Sequence, residues 1–132
     1  MATYNKFQPW VDYMVEGVNC SSDQFVVFLT NTAPSAANGI LTDITQITYT
    51  NLSSRNITTS SSSQTSGTYS LVFADLTLTA SGSVGPFRYV GIYDDTVAND
   101  PLVAWYDHGS SVTMANGETF LVDFGANFFT VA

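Results

Sequence analysis

The chain has 132 residues and a formal charge of −8, with only three basic residues, Lys6, Arg55 and Arg88, against eleven acidic ones. A phosphate backbone and an anionic membrane surface both repel such a chain, so neither nucleic acid nor membrane is expected as a partner. A hydrophobic content of 45% excludes a disordered protein, and the single cysteine, Cys20, excludes an intramolecular disulfide.

The length suits one domain. Residues 1–22 read as an N-terminal arm with a helix, and residues 23–132 as a β core. The first residues lack the basic-then-apolar pattern of a signal peptide, and no apolar run is long enough to span a membrane. Folding in a cytoplasm is the expectation.

Phe7, Trp10, Val11, Met14 and Val18 recur at spacings of three and four, which predicts the one helix, over residues 7–18. Pro9 suits its first turn and Gly17 its end. From Gln24 the period changes to two. Gln24–Thr30 reads as a buried strand, ended by Asn31-Thr32-Ala33-Pro34. Residues 35–54 read either as a short helical turn or as an irregular loop over the core.

The Ser/Thr tract of residues 53–68 reads as a linker or an exposed edge strand. Threonine's β-branch favours the strand. Tyr69, Leu71 and Phe73 have one parity and Leu76, Leu78 and Ala80 the other, so a bulge or turn is expected at Ala74-Asp75. Phe87–Tyr93 and Leu102–Asp107 pair across a loop of turn formers. Asn116-Gly117 predicts a hairpin between Val112-Thr113-Met114 and Thr119–Phe124, because both residues accept positive φ. Phe128–Val131 is a last short strand. Together these predict a mainly β fold: an antiparallel β-sandwich or barrel with one short N-terminal helix.

Catalytic groups are sparse. His108 beside Asp107 suggests an acid–base pair, but neighbours on a strand point to opposite faces, and a hydrogen-bonded turn residue is the better reading. Cys20 lacks a neighbouring base and reads as a partly buried thiol. Asp94, Asp95, Asn99 and Asp100 offer oxygen ligands without an EF-hand spacing, and turn formation explains them equally well. No phosphate-binding glycine loop is present. No enzyme activity, cofactor or metal is expected.

Aromatics are in surplus. Phe87–Tyr93 and Leu102–Tyr106 are apolar on both faces, so they are either central in a sandwich or covered by another subunit. The candidates for contacts with another subunit are Phe7, Trp10, Tyr13, Tyr89, Tyr93 and Trp105.

Several stretches together resemble one family. They are Leu29-Thr30-Asn31-Thr32-Ala33-Pro34 with Thr42-Asp43-Ile44, then Ser63-Gln64-Thr65-Ser66-Gly67-Thr68-Tyr69. Gly85-Pro86-Phe87-Arg88-Tyr89 through Ser110-Ser111-Val112 follows, with Phe120-Leu121-Val122-Asp123-Phe124. Their combination and order resemble small virion structural proteins of tailed bacteriophages. The resemblance implies a non-enzymatic capsid decoration, or cement, protein that bridges capsomers by binding the major capsid protein. It implies synthesis in the host cytoplasm and a place on the outer surface of the capsid. A homotrimer is expected by analogy with decoration proteins at three-fold points. Two other classes remain open: a tail-associated or fibre module that binds host carbohydrate, and a small hydrolase with a carboxylate pair.

Overall fold

The computed structural model describes residues 2–132. In chain order its elements are β1 (Thr3–Lys6), α1 (Trp10–Glu16), β2 (Phe25–Thr30), a 3-10 turn (Leu41–Asp43), β3 (Thr59–Thr65) and β4 (Thr68–Phe73). They continue with β5 (Leu76–Thr79), β6 (Val84–Asp94), β7 (Leu102–Met114), β8 (Thr119–Val122) and β9 (Phe129–Val131). The fold is mainly β, with antiparallel sheets and one short helix near the N-terminus. β1-β7-β6-β2 form a four-stranded sheet, β3-β4-β9 a three-stranded one, and β5-β8 a pair.

The long β6–β7 hairpin is apolar on both faces, and the chain itself covers both. On one face, rings cross between layers: Phe25 of β2 lies 5.2 Å from Phe73 of β4, and Phe87 of β6 lies 5.2 Å from Phe120 of β8. On the other face, Phe28, Gly91 and Trp105 are cross-strand partners in one row. Phe7 closes over this row, 4.5 Å from Trp105 and 6.5 Å from Phe28 between ring centroids. The Phe28 ring occupies the space above Gly91, where a Cβ would overlap it.

All six residues of β2 are buried, because its outer edge is sealed as well as its faces. Val27 donates its N–H to the Arg55 carbonyl (2.9 Å), Leu29 donates to the Tyr49 hydroxyl (2.9 Å), and Ile57 donates to the Phe25 carbonyl (2.9 Å). The segment that sequence left ambiguous is therefore largely an irregular strap over a strand edge. Its one helical piece is the turn at Leu41–Asp43, where Asp43 Oδ2 accepts the N–H groups of Gly39 and Ile40. Those bonds hold the Asp43 carboxyl below its usual range.

The Ser/Thr tract forms β3, an exposed edge strand with little core contact. Ala74-Asp75 is the break at which the chain leaves one sheet for another. The helix is shorter than the spacing predicts. Phe7 lies before it, Val11 on it is 43% exposed, and Gly17 ends it by donating its N–H to the Tyr13 carbonyl. A strand precedes it, too short for its alternation to register in the sequence.

The Asn116-Gly117 hairpin is not formed. Val112–Met114 continues β7 and pairs with the start of β6, so β8 turns away and pairs with β5. Only Gly117 takes positive φ there, and the turn is tied to β5's end by Gly117 N–H to the Ala80 carbonyl (2.7 Å). The two-residue turn with both φ positive lies instead at Ser66-Gly67, between β3 and β4.

Gly91→Val should destabilise the fold by about 1–3 kcal/mol in urea unfolding, through overpacking against Phe28. In a Phe28→Leu background the same change should cost less, because the two positions touch. Equal costs in both backgrounds would contradict the contact.

Candidate functional site: an aromatic cleft between the layers

At the β1 edge of the four-stranded sheet the two layers part and leave a cleft of about 610 Å³. Its floor is a cross-strand row, Tyr4 of β1 opposite Tyr106 of β7 opposite Val90 of β6. Phe120 of β8 and Phe128, just before β9, line its wall. The rings meet edge to face: Tyr4 lies 5.7 Å from both Tyr106 and Phe128, at interplanar angles of 69° and 76°. Leu121, 56% exposed, sits at the opening.

Burial pushes the Tyr4 hydroxyl up to about 12. Burial also raises that of Tyr106, with Tyr4, Asp123 and Asp75 adding to the effect. Both groups therefore stay neutral near pH 7. Tyr4 is 39% exposed and Tyr106 half-buried, and neither hydroxyl bonds to a described residue. Asp123 lines the cleft, with Oδ1 accepting the Gly125 N–H at 2.8 Å. No lysine or arginine lines it.

His108 is exposed on β7 and lines the cleft, with its ring 5.3 Å from Phe120. It is a strand residue, not the hydrogen-bonded turn residue that sequence suggests. Asp107 is engaged elsewhere. Its two oxygens accept Arg88 Nε–H (2.9 Å) and Nη2–H (3.1 Å), and Oδ1 also accepts the Gly109 N–H. Arg88 is the first cause holding the Asp107 carboxyl below its usual range. The neighbours thus make separate contacts and form no pair.

Four of the six proposed contact residues are core. Phe7, Trp10, Tyr93 and Trp105 are 0%, 2%, 6% and 9% exposed within the chain. Side chains so covered are not available to a second subunit. Trp10 packs on Phe25 and Phe129, and Trp105 on Phe7. Tyr13 and Tyr89 remain half-buried. The cleft residues Tyr4, Phe120 and Phe128 were not singled out by sequence. The available signal was aromatic density: Phe120, Phe124, Phe128 and Phe129 crowd residues 120–129.

The acidic loop divides by burial. Asp95 and Asn99 are exposed, Asp100 is half-buried, and Asp94 is fully covered. Asp94 Oδ1 accepts the Thr96 N–H at 3.0 Å, while Oδ2 has no hydrogen-bond partner. Burial, then the adjoining Asp23 carboxyl, pushes Asp94 up to about 7. Cys20, half-buried beside Tyr69, is raised chiefly by burial. Among the described residues, no group of three or more His, Cys, Asp or Glu is placed to hold a metal ion, and no helix is long and apolar enough to cross a membrane. Comparisons with protein-family models, curated proteins and solved structures found no match.

Trp105→Asp should unfold the chain, because it places a charge in a closed aromatic row. Circular dichroism that retained the native spectrum would contradict that placement. Asp94 binds its proton more tightly folded than unfolded, so folding stability should fall as pH rises from about 4 through about 7. Asp94→Asn can keep the Thr96 bond and offers Asp23 a permanent donor. Its urea midpoint should exceed wild type at pH 8, and its slope between pH 5 and 8 should flatten. A wild-type midpoint that rose over that range would reverse the sign.

Proposed function

We propose that the chain is a non-enzymatic structural protein of a phage virion, a capsid decoration protein that bridges capsomers as a homotrimer. The observation that carries this reading is the ordered set of stretches resembling small virion structural proteins. Gly85–Asp95 and Asp100–Val112 from that set make up most of the β6–β7 hairpin on which the core is built. The resemblance is therefore one of framework, as suits a protein whose work is to be rigid and to adhere.

Two surface features support the same reading. β3 is a free sheet edge of Ser and Thr, exposed along most of its length. Such an edge pairs readily with another chain, and it is the segment we assign to contact between subunits, with Tyr13 and Tyr89 as accessory aromatics. The charge is the second feature. Arg88 is paired with Asp107, and Arg55 stacks on Tyr49 and donates to the Val27 carbonyl, which leaves Lys6 as the exposed cation without a salt bridge among the described residues. A partner with a basic face on the major capsid protein complements such a surface.

Purified protein added to undecorated heads should bind at a fixed stoichiometry and raise the melting temperature of the shell, since binding to the closed state stabilises it by mass action. Heads that neither bind the protein nor gain stability would overturn the reading. Light scattering should give three times the 14.2 kDa chain mass. A monomer at micromolar concentration would remove the trimer.

A further inference from the structure

We propose that the cleft between Tyr4, Tyr106 and β8 is a binding site for a neutral saccharide. The proposal stands apart from the capsid reading and does not depend on it.

Size comes first. At about 610 Å³ the cleft falls within the range of sites that enclose small molecules, roughly 300–1,000 Å³. It exceeds what a single methyl-ammonium group fills, which argues against an aromatic cage for a small cation. Its surfaces come second. A pyranose ring carries apolar C–H faces and a rim of hydroxyls. Tyr4, Tyr106 and Phe120 are partly exposed rings on the lining, with Tyr4 steeply angled to Tyr106 and backed by the buried Phe128, so one ligand touches more than one of them.

The unpaired hydroxyls decide the class of ligand. Tyr4, 39% exposed, and the half-buried Tyr106 both line the cleft, and no described residue bonds to either hydroxyl, so a ligand that fills the cleft must itself replace the water that reaches them. An acyl chain or an aliphatic side chain would satisfy the rings and strand both hydroxyls, at about 1–3 kcal/mol each. A hydroxylated ligand satisfies rings and hydroxyls together. The Thr119 hydroxyl and the Asn127 amide, both exposed on the lining, extend this polar set.

Charge then selects among sugars. Asp123 lines the cleft, Asp75 lies close enough to raise Tyr106, and no lysine or arginine is among the described lining residues. Sialic acid, uronic acids and phosphorylated sugars meet the Asp123 and Asp75 carboxylates there with no lysine or arginine to offset them. A neutral hexose or N-acetylhexosamine does not.

Saturation-transfer NMR with free glucose, galactose, mannose, N-acetylglucosamine and their disaccharides tests this, because it registers binding as weak as millimolar. The expected result is saturable transfer from at least one neutral sugar and none from N-acetylneuraminic acid or choline. Tyr106→Phe keeps the ring and should weaken that binding about tenfold, the equivalent of one hydrogen bond. Tyr4→Phe should act alike, and Phe120→Ala should weaken it further. Circular dichroism identifies a variant that fails to fold, and the remaining variants then carry the test. No transfer from any neutral sugar, preference for the acidic sugar or for choline, or unchanged affinity in the folded Tyr→Phe variants would each overturn the proposal.

Discussion

The approach of Phe28 to Gly91 is the constraint on which the rest of the structure depends. Phe28, Gly91 and Trp105 form one row across the four-stranded sheet, and only a residue without a side chain leaves room for the Phe28 ring. The row is apolar and must be covered, and Phe7 covers it. Phe7 is held by its N–H to the Val103 carbonyl, at 3.1 Å, where the chain leaves the sheet for the helix. That anchor fixes the register of β1 on β7, and the register sets Tyr4 opposite Tyr106. A packing requirement on one face of the sheet thus places the floor of the cleft on the other.

Much of the β framework was legible in the sequence, because its signals are local. Phe25–Leu29 reads as a strand from composition alone, and the parity switch at Ala74-Asp75 marks the change of sheet. The failures share a physical cause. Asn116-Gly117 is a strong hairpin signal only if the flanking strands are free to pair with each other. β7 pairs with β6 up to Met114, and β8 pairs with β5 instead, so the Asn116-Gly117 turn joins strands of two different sheets. The strap over β2 was illegible for a similar reason. Its order comes from the groups it meets, such as the Tyr49 hydroxyl on Leu29, and not from any period of its own.

The aromatic surplus was visible, but its destination was not. Two explanations were available for rings on both faces of a hairpin, an intrachain cover or a neighbouring subunit. For Phe7, Trp10, Tyr93 and Trp105 the cover is intrachain. The surplus that remains accessible lies at the far end, where short β8 and β9 cannot close the layers over Tyr4 and Tyr106. This leaves the molecule with a rigid centre, an open Ser/Thr edge, an acidic surface and one aromatic cleft. A protein that adheres to a shell uses the first three, and the fourth is where the proposed saccharide would sit.

The central claim is that this chain is a component of an assembled capsid. Cryo-electron microscopy of particles assembled with the chain present tests it most directly. The account predicts density matching the fold at three-fold positions on the outer surface of the shell, with the β3 edge turned toward a neighbouring copy. Density for the chain on the tail alone, or particles assembled in its presence that carry no density for it, would contradict the account.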